Sequence, residues 1–480
     1  MTDLMNICSK TLFRFFIGLL LSGMLCLSSC RKDKIDTSKE AKLDFSNDSV
    51  SFDTVFARLN TGATPKSITR TLIIYNNNKN DVESDIFLAG GAQSVFRINI
   101  DGIPQSSVSK YRIPGKDSIL LFVQVTPNAS MQNLPLIVED SLIFTTNGNI
   151  QKVHLLAWGQ DAYYLYDSVL TCNAIWSDTQ KPYVLYNSVL VPKGCKLTID
   201  KGVKVFNHVN STIFVQGTLE IKGTATEPVI IQGDRLEKYM QDIPNQWWGI
   251  RLLPGSINNN IQHTIIKNGV VGIEIDSLPA NNNPNLTISH TVVQTMASVC
   301  ISSYTAKVKA TNCLFANAGQ VVFYGELGGS YELLHCTIVN SKCIFSSPKP
   351  ALYFSNADYV EKDANGTVIR TIINNLGFSI VNCIVFGGND DEFVVYDGGR
   401  PSNIGPTIID HCLLKTKITT LNINNNLINQ DPKFKSACKY DYTLDTLSPA
   451  INKAIPTLVT DDLKGNLRDN TPCMGAYERN

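Results

Sequence analysis

Residues 333–340 read Leu333-Leu334-His335-Cys336-Thr337-Ile338-Val339-Asn340, and their register returns along the C-terminal part of the chain. A His or Asn followed by Thr or Cys recurs at His263-Thr264, His290-Thr291, Asn312-Cys313, His335-Cys336, Asn382-Cys383 and His411-Cys412. A degenerate copy sits at Asn356, and with it the successive spacings are 27, 22, 23, 21, 26 and 29 residues. Two residues earlier stand Ile261, Ile288, Ala310, Leu333, Phe354, Ile380 and Ile409; three residues later, in the six full copies, stand Ile266, Val293, Phe315, Ile338, Val385 and Leu414. All are apolar. A strand keeps one face at period two, so positions five apart face opposite ways unless the chain bends between them. The His or Asn is the natural bend, because both residue types are enriched at positive φ. Two positions beyond the second apolar column come Asn268, Thr295, Asn317, Asn340, Gly387 and Thr416, a small, mostly polar column suited to a second, hydrogen-bonded turn.

Coils of 22–25 residues whose short strands meet at bends predict a parallel β-helix over residues 161–480. One coil alone cannot bury its apolar side; stacking on the next does. At about 4.8 Å per coil, roughly 13 coils would make a rod on the order of 60 Å long.

Upstream, residues 41–160 carry β-prone runs at Ser49–Phe52, Thr69–Tyr75, Asp85–Leu88, Val95–Ile98, Ser118–Val125, Ser141–Thr145 and Val153–Trp158, separated by turn-rich breaks. Seven such runs without a helical period predict a small immunoglobulin-like β-sandwich. The run Ile119 to Val125 is apolar on both faces, which predicts a central strand or one covered by the neighbouring domain.

Residues 1–29 have Lys10 and Arg14, then an apolar run from Phe15 to Leu27 that is short for a bilayer span. Leu27-Ser28-Ser29-Cys30 resembles the bacterial lipobox, which implies lipidation of Cys30, an outer-membrane lipoprotein of the cell envelope and a tether over 30–40. Arg31, Lys32 and Lys34 dilute Asp33 and Asp36, so periplasmic and surface-facing placements both stay open. The chain has 480 residues with 42 basic and 42 acidic side chains, a balance that argues against nucleic acid as partner.

Gly217-Thr218-Leu219, Gly223-Thr224, Pro228-Val229 and Trp248-Gly249-Ile250 resemble the opening coils of right-handed parallel β-helix proteins. The tail is similar too: Asp431-Pro432-Lys433-Phe434, Leu447-Ser448-Pro449-Ala450-Ile451, Asp462, Gly465, Arg468 and Met474-Gly475-Ala476-Tyr477-Glu478. With the lipobox, the chain resembles Bacteroidota lipoproteins of the pectate-lyase-like β-helix family. The resemblance implies the fold and its C-terminal cap; it specifies no reaction.

Several side chains carry possible chemistry. Four of the six histidines occupy the repeated corner, which points to a structural role. Asp234, Arg235 and Glu237, followed by Trp247 and Trp248, offer two carboxylates, a guanidinium and aromatic faces for sugar stacking; the competing reading is a loop ion pair beside a packed Trp. Asp390, Asp391 and Glu392 follow Gly387-Gly388 and could hold Ca²⁺ through oxygen ligands, but lack the spacing of a known calcium loop, so a solvated acidic turn competes. Tyr324, Glu326 and Tyr331 flank Gly328-Gly329 and could line a groove. No other cofactor is indicated. Cys313, Cys336, Cys383 and Cys412 share one column, where in-register side chains run parallel, so free buried thiols are expected. Cys172, Cys195, Cys300, Cys343, Cys438 and Cys473 could pair in any pattern.

Two functions fit these residues. The preferred one is a non-enzymatic envelope lipoprotein, anchored in the membrane by lipid, whose β-helix binds glycan or another cell-surface component. The competing one is a polysaccharide lyase or glycoside hydrolase using Asp234, Arg235 and Glu237 or an unrecognised exposed face.

Overall fold

A computed structural model describes residues 34–56, 68–100, 102–125, 136–276, 283–357, 359–372, 374–399 and 404–479. The leader and Cys30 lie outside the described residues. The chain divides into two compact units, the break falling between Gly159 and Gln160.

The first unit is two five-stranded sheets. One runs in the order Asp44–Phe45, Ile68–Asn76, Asp117–Val125, Phe96–Ile100, Ile103–Gln105; the other runs Ser49–Phe56, Asn149–Gln160, Leu136–Thr146, Val82–Leu88, Ser107–Ile113. Leu72, Ile74, Leu121 and Val123 of one sheet share a core with Phe52, Ile86, Phe144 and Leu155 of the other. All seven expected strands are present. The strand Ser107–Ile113 is additional: its sequence SVSKYRI is mostly polar, and it lies at a sheet edge where one face and one side meet solvent. Asp117–Val125 is central, the first of the two placements its sequence offered, and Leu120 and Phe122 on its second face are exposed.

The second unit is a parallel β-helix. Each full coil contributes three strands, as in Lys307–Thr311, Leu314–Ala318 and Phe323–Glu326, and each strand pairs in parallel with its counterpart one coil away. These define three strips. The first strip holds the residues before the corner, the second those after it, and the third completes the coil. The six corner residues His263, His290, Asn312, His335, Asn382 and His411 all have φ between 43° and 56°. Ile261, Ile288, Ala310, Leu333, Ile380 and Ile409 are successive register partners on the first strip. Ile266, Val293, Phe315, Ile338, Val385 and Leu414 are successive partners on the second. The bend therefore turns both columns inward, and those of the second strip are fully buried.

Two expectations are corrected. Asn356 is not a corner: it follows Leu352–Ser355, a third-strip strand paired with Phe323–Glu326, and it lacks positive φ. The true step from His335 to Asn382 is one enlarged coil, which inserts the hairpin of Tyr359–Lys362 and Val368–Ile372. The rod is also shorter than expected. The first-strip sheet has nine strands among the described residues, about 40 Å at 4.8 Å per step; the enlarged coil uses the length of two, and the last fifty residues do not wind.

Those residues fold back along the second strip. Tyr442, Leu463, Ala476 and Tyr477 cover the outward-facing Leu314, Ala316 and Val339. Cys473, Met474 and Ala450 cover Ile384 and Leu413. The tail thus caps a flank of the helix. Two disulfides, Cys172–Cys195 and Cys343–Cys438, are formed, while Cys300, Cys313, Cys336, Cys383, Cys412 and Cys473 are free and buried.

Candidate functional site

The corner histidines are occupied structurally. His263 and His290 stack with ring centroids 4.5 Å apart. Asn312 Nδ2 donates to His290 Nε2 and Asn382 Nδ2 to His335 Nε2, both at 2.9 Å. Burial pushes the His335 imidazole down to about 3, with the Arg468 guanidinium adding to the effect. The next column repeats the logic through the backbone. Cys336 N donates to Cys383 Sγ at 3.3 Å and Cys383 N to Cys412 Sγ at 3.4 Å, as Thr264 N does to Thr291 Oγ1 at 3.3 Å. Burial raises the Cys313 and Cys383 thiols, so they sit as neutral packing groups.

The Asp234–Trp248 cluster does not converge on a cleft. Arg235 holds Glu237 in a bidentate pair, Nε to Oε2 at 3.2 Å and Nη2 to Oε1 at 2.7 Å, and Glu237 is fully buried. Asp234 instead accepts from His208 Nδ1 at 2.5 Å, beneath a stack of Tyr186 and Tyr166. Trp247 is a core residue whose Nε1 donates to the Lys267 carbonyl at 2.9 Å, so its ring is not a sugar platform. Trp248 differs: it is 43% exposed. In the acidic turn, Glu392 points inward. Its Oε2 accepts from Ala351 N at 2.7 Å and its Oε1 from Asn389 N at 2.5 Å, and burial raises the carboxyl. Asp391 Oδ1 accepts from Lys417 N at 3.2 Å. These carboxylates clip backbone together, and Asp390, Asp391 and Glu392 do not face a common point as cation ligands; no cluster of three or more His, Cys, Asp or Glu suited to a metal occurs among the described residues. Tyr331 is likewise interior, its hydroxyl donating to the Gly328 carbonyl at 3.0 Å.

The groove lies on the outer face of the third strip. It encloses about 510 Å³. Its central row consists of register partners one coil apart, Glu274, Ser302, Tyr324, Tyr353 and Val394, and Arg251 pairs with Glu274 one coil before it. Val271, Val299, Val321 and Pro350 supply an apolar floor, with Lys349 and Gln320 beside it. Val271 N donates to Trp248 O at 2.9 Å, which sets the exposed Trp248 one coil before the floor begins. Tyr304 and Glu326 are register partners on the far side.

The tyrosines each have a polar neighbour two residues away on the same side of the strand: Ser302 beside Tyr304, Glu326 beside Tyr324 and Ser355 beside Tyr353. The Tyr324 and Tyr353 rings lie 5.5 Å apart at 33°. Burial, with Glu326 beside Tyr324, raises these phenols, so they remain neutral donors. At the other end Arg251 reaches Glu274 Oε2 at 3.2 Å and Asp276 Oδ2 at 2.8 Å. Burial raises the Glu274 carboxyl, and Arg251 opposes the shift. Tyr324 and Glu326 were readable as groove residues; Arg251, Glu274, Tyr304, Lys349 and Tyr353 were missed. The signal was positional: Glu274, Ser302 and Tyr324 stand eleven or twelve residues past their corners.

No family model and no curated protein matches the chain. Among solved structures, the catalytic domain of a GH87 α-1,3-glucanase bound to tetrasaccharides aligns over 80% of this chain and 92% of its own, at 9% identity and a TM-score of 0.18. A PapD-like domain of human CEP192 aligns over 27% of this chain and 91% of its own, at 10% identity and a TM-score of 0.17. A protein of unknown function from Porphyromonas gingivalis W83 aligns over 27% and 59%, at 16% identity and a TM-score of 0.17. Likeness at this level carries no argument about activity.

Proposed function

We propose that the chain is a cell-envelope lipoprotein, lipidated at Cys30, whose β-helix binds glycan in the third-strip groove. The observation that carries the glycan reading is the tyrosine row, with Tyr324 and Tyr353 in register one coil apart. Flat aromatic faces at successive coils, over an apolar floor and beside hydroxyl and amide groups, suit the stacked and hydrogen-bonded recognition of a sugar chain. The two disulfides support an oxidising, extracytoplasmic compartment. Replacing Tyr324 and Tyr353 together by Ala should abolish retention of the mature protein in polysaccharide-containing native gels while leaving its unfolding temperature near that of the parent. Unchanged retention would remove the groove as the site. Replacing Cys30 by Ala should move the protein from the membrane fraction to the soluble one.

A second reading, glycoside hydrolysis, is favoured by one observation: Glu274, whose carboxyl is raised by burial, lines the groove, and Glu326 stands in register with the lining residue Tyr304. A raised carboxyl with a second acidic group at the same groove is the pairing that acid-catalysed glycoside cleavage uses. New reducing ends that disappear on Glu274→Gln would establish it; retention without turnover would leave binding alone.

A further inference from the structure

The groove's charge carries the glycan reading one step further, and the inference rests on that reading. We infer that the site selects uncharged polysaccharide chains and rejects polyanionic ones.

The argument starts from which charges are free to meet a ligand. Arg251 presents the guanidinium fork that would ordinarily receive a uronate or sulfate. Here Nη2 is bonded to Asp276 at 2.8 Å and Nε lies 3.2 Å from Glu274 Oε2, so an incoming anion would have to compete with two carboxylates already in place. Lys349 is the cation of the lining itself. Across the tyrosine row, Glu326 stands close enough to raise Tyr304, Tyr324 and Tyr353, and Glu274 and Asp276 act on Tyr304 in the same sense. Three carboxylates therefore stand against two cations. A polyuronate brings one carboxylate per sugar, each repelled by this set in a groove whose walls partly exclude water. A neutral chain meets no such cost. Its hydroxyls find acceptors at Glu326 and Ser302 and donors at Lys349 and Gln320, while its apolar faces lie on Tyr324 and Tyr353.

The test uses the mature chain in detergent and two sets of probes in affinity electrophoresis: a mixed-linkage β-glucan, a xylan and a mannan against polygalacturonate and alginate. Retention by at least one neutral polymer should be tenfold or more stronger than by either polyanion. Glu326→Gln should narrow the gap by strengthening polyanion retention severalfold. Tighter retention on polygalacturonate or alginate would overturn the charge selection and leave the glycan reading standing. Retention on none of the five polymers would overturn both.

Discussion

Arg468 Nη2 donates to the side-chain oxygen of Asn312 at 2.9 Å, across 156 residues of sequence. The same guanidinium reaches Glu478 Oε2 at 3.0 Å and the carbonyls of Asp461, Cys473 and Gly475, and the Arg468 and Glu478 side chains are each only 2% exposed. A tail with few strands of its own is thereby fixed to a corner of the winding. The corner supplies a carbonyl oxygen because Asn, unlike a β-branched residue, tolerates the left-handed bend there. The bend and the latch are one device.

Replacing Arg468 by Met should therefore cost about 3–5 kcal/mol, because it leaves Glu478 buried without its cation. Denaturant unfolding of the variant would register it as a lower midpoint. Removing both partners, as Arg468→Met with Glu478→Met, should cost less than the two single changes summed. Additive losses would mean that the two buried charges are not energetically coupled.

His335 gives the fold an acid limit. Its imidazole titrates at about 3 when folded and near 6.5 when unfolded. The unfolded chain thus binds the extra proton first. The contribution is fully present above about pH 6.5 and is lost progressively as pH falls toward 3, at about 1.4 kcal/mol per unit. Stability measured from pH 7 to pH 4 should fall with this slope in the parent. It should fall less in His335→Asn, which keeps a corner-compatible residue. Equal slopes would show that the imidazole is not the acid-sensitive group.

Thiol counting tests the column chemistry. In the chain after Cys30, denaturation without reductant should expose six thiols, and with reductant ten. The native protein should react at none of the six at a rate comparable with free cysteine, since all are buried. Four titratable thiols instead of six under non-reducing denaturation would indicate a third bridge.

The parts of this molecule legible in its sequence are those fixed by stacking. His263, His290 and Asn312 could be aligned because one bend repeats at nearly constant spacing, and the inward columns followed from strand periodicity. Asn356 misled because an apolar residue two positions earlier, Phe354, satisfied the pattern from a different strip. The groove was half visible: Tyr324 and Glu326 stood out as local residue types. Arg251 and Glu274 acquire meaning only once coils are in register, and their partnership spans a coil that composition does not reveal. Asp234, Arg235 and Glu237 looked like chemistry because local sequence brings charges together without saying whether they face solvent or each other. Glu392 was misread for the same reason, its carboxylate being taken up by backbone amides of a neighbouring loop.

Two glycines, Gly399 in a loop between coil strands and Gly475 in the tail, separate backbone conformation from contact. Gly475 has φ +86°, and a Cβ there would lie 2.7 Å from Thr337 Oγ1 and 2.8 Å from Ile384 Cδ1. Gly399 has φ +76° with nothing within 4 Å of such a Cβ. Gly399→Ala should cost only the left-handed penalty, about 1–2 kcal/mol. Gly475→Ala carries that penalty and also pushes the tail away from the second strip. There it would break the bond from Ala476 N to Thr337 Oγ1 at 2.9 Å and the one from Gly475 N to Asn382 O at 2.7 Å. Its total should exceed the Gly399 value by at least about 1 kcal/mol for each lost hydrogen bond. Equal losses for the two variants in urea unfolding would mean that the tail yields at this point without cost.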